Sequence, residues 1–491
     1  MNKITLKNIA HTYFIKEVSI LFLLSVLFLF FASTWTSPFY SYCLGDDSSF
    51  YSMVGRGILH GYVPYKNFFD LKGPYLFFIQ SFGQFISRGK LGIFLFQIPF
   101  CFAAILHVWK IARLFLNYKK ACIVMGFFLL VYTATLWGGN TAEEYSLPFS
   151  MICLYYTCLW ILHKDIDKLS KYACTFGLST GIMVFMKITL TAPIFAMILC
   201  ILFLLIREKA YFQILSSIGS FLFGFFISLF PVVIYFSYHG AIEDLIYQEF
   251  IFGFLRGTDY GESFNLLWEL KLSAFYVVFF FALFQKSLKA PFRILLFTMS
   301  VIGYIFLHLG TPFIYYFTST LPVFVLGLSL FLQLNDPFVI TLKLSFLIPL
   351  LAFFVFSGFY VGEALNRIGD CIDAKTNPYY QNYYEQSLEL CSLIPEQERQ
   401  SIYCLESSCT WFEINQVLPA YKYQINLPFF IALDPSIEWD LYYYFLNKPA
   451  KWLVTSPLED LDIPDSIKDE VRYRYELITF NDFHELYTLR R

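Results

Sequence analysis

Charge is what this sequence has least of. Only 15% of its 491 residues are Asp, Glu, Lys or Arg, against 57% hydrophobic ones. So little polar surface cannot coat a soluble globule of this size, which makes the chain an integral membrane protein. There is no excess of positive charge either: 35 basic against 37 acidic side chains give a formal net charge of −2, and no basic face for nucleic acid can be assembled from that balance. Eleven cysteines include no C-x-x-C pair and no His/Cys cluster at metal spacing, so no zinc or redox motif is present. The absence of a P-loop, a G-x-G-x-x-G and a G-x-S-x-G elbow removes support for cytosolic nucleotide chemistry and for Ser/His/Asp hydrolysis. No internal repeat or low-complexity tract is visible, which weakens a reading as an inverted-repeat transporter. The first apolar stretch follows Lys3, Lys7 and Lys16 but has no A-x-A cleavage site after it, and reads as a retained signal anchor.

What is present in quantity is aromatic. Sixty Phe and 36 Tyr suit a protein that meets lipid and the membrane interface along much of its length. Apolar runs of spanning length fall near 17–36, 91–115, 121–137, 145–162, 172–187, 188–206, 211–237, 271–285, 294–310, 312–332 and 343–360, which predicts eleven transmembrane helices. Trp35, Trp109, Trp137, Trp160 and Trp268 sit near their ends, as an aromatic belt requires. Lys and Arg gather before the first span and in alternate loops at 110–120, 164–171, 207–209 and 286–293, which the positive-inside rule places in the cytoplasm. The other loops, 37–90, 138–144, the turn at Lys187, 238–270 and the turn near Gly310, then face outward and carry the acids. This predicts a multi-pass protein of the cell membrane with a cytoplasmic N-terminus and an outer C-terminal region.

From about residue 362 the apolar runs shorten and Pro, Glu and Asp become common. The expected domains are therefore a membrane domain over 1–361, with a first outer loop at 37–90, and a soluble extracytoplasmic α/β domain over 362–491. Strands are expected at 401–405, 451–455, 473–480 and 483–489, and helices near 379–393, 411–418 and 437–446. In an oxidising compartment, disulfides among Cys371, Cys391, Cys404 and Cys409 stay open.

The chemistry is expected in the stretch 45–74, GDDSSFYSMVGRGILHGYVPYKNFFDLKGP, the first polar segment after a span. Asp46 and Asp47 are placed to cap a helix over about 49–60, which Gly61 would end. Carboxylates beside a membrane also serve as bases or steady a cationic transition state, and two of them together with Asp70 and Lys72 tip the balance from cap to function. Lys72 and Arg56 are outer-face cations suited to a phosphate, with snorkelling to lipid head groups as the bland alternative. Glu143 and Glu144 follow Trp137-Gly-Gly-Asn-Thr on the same side, so the two acidic loops are expected to converge; acids favoured by a helix dipole are the competing account. Lys187 is a charge between two apolar segments, marking a site or a buried pair. His308, Tyr315 and Tyr316 are either pocket-lining or plain interface residues, and Arg256 and His239 make loop 238–270 a thin candidate for polymerase or ligase chemistry.

Taken together, an acid pair after the first span, Tyr51-x-x-x-x-Arg56, a Gly, and Asp70-x-Lys72-x-Pro74 resemble the first outer loop of the GT-C membrane glycosyltransferases. The resemblance is to the bacterial protein-mannosyltransferase-like group, with its aminoarabinose-transferase and Rgt-type members. NTAEEYSLPF is similar to that group's second acidic loop, FMKIT to its Lys after a short span and YYFTSTLP to its late aromatic-Leu-Pro motif. RQSIYCLE, VLPAYKY and KPAKWLVT are similar to its outer α/β domain. The resemblance implies transfer of a sugar from a polyprenyl-phosphate donor to a glycan, lipid or protein acceptor outside the membrane. The family motif opens Asp-Glu with Tyr four and Arg nine residues on, which puts Asp47 first; Ser48 replaces the Glu and Asp46 is an extra acid, so the base is one of these two. It implies catalytic roles for Asp47, Asp46 and Glu144 and substrate contacts for Lys72, Arg56, Tyr51, Asp70, Glu143, Lys187 and Tyr316.

Elementary chemistry agrees with the resemblance. A sugar phosphoester leaves as a stable phosphate, so such an enzyme needs one base for the acceptor hydroxyl and cations for the departing group, with inversion by single displacement. No cofactor is implied, and metal dependence, with a divalent ion as the candidate, stays open. The alternative function is a transporter or flippase of a lipid-linked glycan, which would place charge at mid-membrane rather than in outer loops.

Overall fold

Long apolar runs become helices in lipid because the helix alone satisfies every backbone N–H and C=O within the segment. The computed structural model describes residues 3–165, 167–254, 278, 281, 285–308, 313–334, 344–405 and 409–490, the side chains of 3–14 and 344–358 excepted. Among these residues eight helices are long and apolar enough to cross a membrane: Ile15–Ala32, Lys90–Phe115, Tyr118–Thr135, Ala142–His163, Ile188–Arg207, Tyr211–Tyr238, Ala290–Leu307 and Ile314–Leu334. With the composition, they make this a multi-pass membrane protein. Each corresponds to an expected span, shifted by a few residues at its ends.

The remaining expected spans differ. The run at 172–187 forms Leu169–Val184, only 16 residues, and is separated by Lys187 from a 3₁₀ turn that opens the next helix. The run at 343–360 is the start of a 33-residue helix, Leu344–Thr376, that continues well beyond the apolar stretch. The expected span 271–285, with Trp268 and Arg256 before it, lies outside the described residues apart from positions 278, 281 and 285, as does the turn near Gly310.

The chain divides into two compact units, Met1–Ser33 with Gln97–Val232 and Tyr260–Asp370, and Thr34–Phe96 with Val233–Asp259 and Cys371–Arg491. The first is a helical bundle whose turns are capped from the sequence. Asn117 accepts from the Lys120 amide at 3.0 Å, and Thr141 accepts from the Glu144 amide at 3.3 Å.

In the second unit, helix Asp46–Leu59 packs along helix Pro74–Ile86. Gly55 permits that closeness, since a Cβ there would lie 2.6 Å from the backbone of Gln80. The same unit holds a four-stranded sheet, ordered β1-β2-β4-β3, of β1 Ile402–Leu405, β2 Trp452–Thr455, β3 Tyr475–Phe480 and β4 Glu485–Leu489. β1 and β2 run parallel, so a crossover must join them, and helices Thr410–Asn415, Leu427–Leu433 and Ser436–Asn447 fill it. β3 and β4 form a hairpin whose turn is held by Asn481, its side-chain oxygen accepting from the amides of Phe483 and His484 at 3.0 and 2.8 Å. The strands and helices expected in this region are all present; helices Leu427–Leu433 and Asp465–Arg474 were not foreseen.

Candidate active site

The first acidic loop belongs to the second unit. Its helix starts at Asp46, three residues earlier than expected, so the two acids lie in the first turn instead of capping it; the N-cap is Gly45 and no side chain caps the end. The helix dipole favours negative charge there. Asp46 is exposed and Asp47 half-buried, while everything from Ser48 to Gly57 is buried. Tyr51, one turn on from Asp47, is buried, and the half-buried Lys72 sets its Nζ 5.9 Å from the Tyr51 ring centroid. Two of the expected substrate contacts therefore meet.

The stretch that carries Lys72 is tied down by backbone hydrogen bonds. The Tyr65 hydroxyl donates to the Lys72 carbonyl at 2.7 Å, and the Asp70 carboxylate accepts from the Leu71 amide at 2.7 Å. Phe69 donates its amide to the Lys422 carbonyl at 2.9 Å and packs its ring on Phe252, Tyr423 and Phe430. Burial pushes the Tyr65 phenol well above its ordinary range, so it remains a donor.

Arg56 is placed otherwise than a phosphate ligand would be. Nη1 pairs with the Glu413 carboxylate at 2.7 Å, Nη2 donates to the carbonyls of Phe412 and Val417 at 3.1 Å each, and both charged side chains are about 95% buried. Ser52 adds a hydrogen bond to Glu413 at 3.0 Å. The arginine thus fastens the first helix to helix Thr410–Asn415.

The second acidic loop belongs to the first unit. Residues Trp137, Gly138, Gly139 and Asn140 all have φ between 57° and 101°, the left-handed region. Gly139 is required on both counts, since a Cβ there would also lie 2.1 Å from the Ser33 hydroxyl. The turn delivers Glu143 and Glu144 to the start of helix Ala142–His163, where their surroundings diverge. Glu144 accepts from Gln97 at 3.0 and 3.2 Å and from the Asn140 amide at 2.7 Å. Glu143 instead pairs with Lys187 at 2.6 Å. The Lys187 ammonium lies 3.5 Å from the Tyr316 ring centroid and 5.8 Å from that of Tyr315. So three expected residues, Glu143, Lys187 and Tyr316, are brought together. His308 is exposed and bonded to the carbonyl of Tyr304, and the His239 carbonyl accepts from Lys66. Among the described residues no group of three or more His, Cys, Asp or Glu is arranged to hold a metal ion.

No protein-family model and no curated protein matches the chain. Solved structures do, two of them of ArnT. ArnT from Cupriavidus metallidurans bound to undecaprenyl phosphate superposes with a TM-score of 0.59 at 12% identity, covering 96% of this chain and 97% of that one. Its apo form gives 0.60 at 13% identity, covering 97% and 98%. The chain has the ArnT fold. The expected polytopic helical architecture with a small C-terminal mixed α/β domain is therefore the one observed.

Sequence reasoning about this ArnT-like chain missed the residues that hold others in place: Tyr65, Gln97, Gln248 and Glu413. The amides and the phenol carry no charge signal, and the partners of Gln97, Gln248 and Glu413 are remote in sequence. Glu249 was missed as well. It is buried, neither carboxylate oxygen has a hydrogen-bond partner among the described residues, and burial pushes its carboxyl well above the ordinary range. A carboxyl whose pKa is raised by folding contributes stability below its unfolded value and loses it as pH rises. Glu249→Gln should accordingly raise the thermal midpoint by more at about pH 8 than at about pH 5. An equal shift at both would show that the carboxyl does not titrate with folding.

Proposed function

We propose that this chain is a membrane glycosyltransferase that moves a sugar from a polyprenyl-phosphate donor to an acceptor outside the membrane, with inversion. The observation that carries the reading is the presence, within one compact unit, of a half-buried aspartate at a helix N-terminus and a lysine over the Tyr51 ring one turn further along that helix, in a fold shared with an ArnT bound to undecaprenyl phosphate. Asp47 takes the proton of the acceptor hydroxyl as its oxygen attacks the anomeric carbon. The bond from that carbon to the phosphate oxygen breaks, and its electron pair leaves with the phosphate, whose charge Lys72 holds. Asp46 is the alternative base, one residue back and more exposed.

Glu143, Lys187 and Tyr316 are proposed as further substrate contacts, because a cation held between a carboxylate and an aromatic face is suited to a polar, charged ligand. Glu144, its oxygens already occupied by Gln97 and Asn140, acts by holding its loop and does not touch substrate. Asp70 keeps Lys72 in place through the local turn. Arg56 is assigned a structural role. Comparing cell-envelope glycans by mass with and without this protein tests the function: loss of one glycosylated product supports it, and an unchanged glycan set opposes it.

The domains are proposed as 1–361 in the membrane and 362–491 outside, with the N-terminus cytoplasmic. A reporter active only in the cytoplasm, fused after Arg491, should stay silent. A bright signal would overturn that topology and strand the acidic loops on different sides.

A further inference from the structure

The segment Ile246–Phe252 is a π-helical turn that buries two polar side chains. Gln248 and Glu249 are buried, 4% and 8% exposed, while Ile246, Ile251 and Phe254 stand 46%, 51% and 73% exposed. Burying an amide costs free energy unless its hydrogen bonds are made, and π-turns are rare and gather at functional sites. The amide of Gln248 makes both of its bonds to the first outer loop. Its Nε2 donates to the Tyr65 carbonyl at 2.7 Å, and its Oε1 accepts from the Asp70 amide at 3.2 Å.

Between those two anchors the chain is under strain. Tyr65 has φ 69°, a left-handed conformation that is unfavourable for a side-chain-bearing residue and persists only when its surroundings impose it. In that conformation its hydroxyl donates to the Lys72 carbonyl. One planar amide thus fixes Tyr65 and Asp70, and through the Tyr65 hydroxyl it reaches the backbone of Lys72.

We infer that Gln248 is the positioning residue for Lys72, clamping residues 65–72 so that the lysine ammonium is presented over Tyr51 to the phosphate of the lipid carrier. This rests on the reading of Lys72 as the phosphate ligand. Gln248 itself need not touch substrate. The loop has separate anchors that would keep it folded without the clamp: the Phe69 ring among Phe252, Tyr423 and Phe430, its amide on Lys422, and the Val63 amide on Asn67 at 2.7 Å. Removing the amide therefore loses the lysine's position while the loop stays attached.

The test uses the full-length protein in lipid nanodiscs, with binding of undecaprenyl phosphate as the readout. Gln248→Leu should weaken binding by about tenfold in wild type but by less than about twofold in a Lys72→Ala background, with the thermal midpoint little changed. Equal losses in both backgrounds, or wild-type binding by Gln248→Leu, would overturn the inference. If Gln248→Leu does not fold, Gln248→Glu decides. A neutral carboxyl can accept from Asp70 and donate to Tyr65 as the amide does, whereas an ionised one cannot donate, so binding should be near normal at acidic pH and fall as pH rises through about 5 to 8. Binding that tracks wild type across that range would count against the clamp. Lys72→Ala alone separates the two readings: undiminished binding there removes the phosphate role itself, whereas a loss there with none in the Gln248 variants removes only the positioning role.

Discussion

Asp47→Asn should lower turnover by roughly a hundredfold or more while leaving binding of the lipid carrier intact, because the amide keeps the shape and hydrogen bonding of the carboxylate but takes no proton near neutral pH. Lys72→Ala should behave differently, weakening binding as well as turnover, since its charge meets the phosphate in the ground state and in the transition state alike. The assay is transfer from a polyprenyl-phosphate sugar by purified protein in lipid, beside a binding measurement with undecaprenyl phosphate. Wild-type rates in Asp47→Asn with loss in Asp46→Asn would move the base one residue back. Normal rates in both variants would remove the mechanism.

The second large effect is on stability. Arg56→Ala strips the partner from a buried Glu413 and should destabilise the second unit by about 3–5 kcal/mol, most of it the cost of an uncompensated buried charge. Replacing both members, Arg56→Met with Glu413→Leu, should recover much of that loss, because the desolvation penalty then falls away on both sides. Thermal melting in detergent and the rate of proteolysis of the C-terminal region are the measurements. An Arg56→Ala protein that melts like wild type but fails to bind the lipid carrier would return Arg56 to the phosphate role that its motif position implies.

Much of this architecture is written locally, and such features were legible. The apolar periodicity at 91–115, 145–162 and 211–237 is of spanning length by itself, and lipid leaves the backbone no choice but helix. The hairpin at 475–489 is likewise announced by alternating β-formers around Asn481-Asp482, and the helix after Asn377 by a capping side chain followed by Pro378. Charge made Asp46, Asp47, Glu143, Glu144 and Lys187 stand out, since an ionised group in so apolar a chain needs a partner or a purpose. Lys187 has such a partner, Glu143, 44 residues away in the sequence.

What the sequence determined by itself is therefore the membrane class, most of the helices and the identity of the charged candidates, because each follows from interactions within about twenty residues of chain or from the solvent alone. What only the tertiary structure decided is how those charges are used. Arg56 and Lys72 are equally plausible phosphate ligands in the sequence, yet one is enclosed with Glu413 from more than 350 positions away and the other stands over Tyr51. Glu143 and Glu144 are neighbours with the same chemistry, yet one meets Lys187 and the other Gln97. The physical reason is that a charge declares a need for compensation but not its source, and the source is fixed only when remote segments pack and exclude water from the pair.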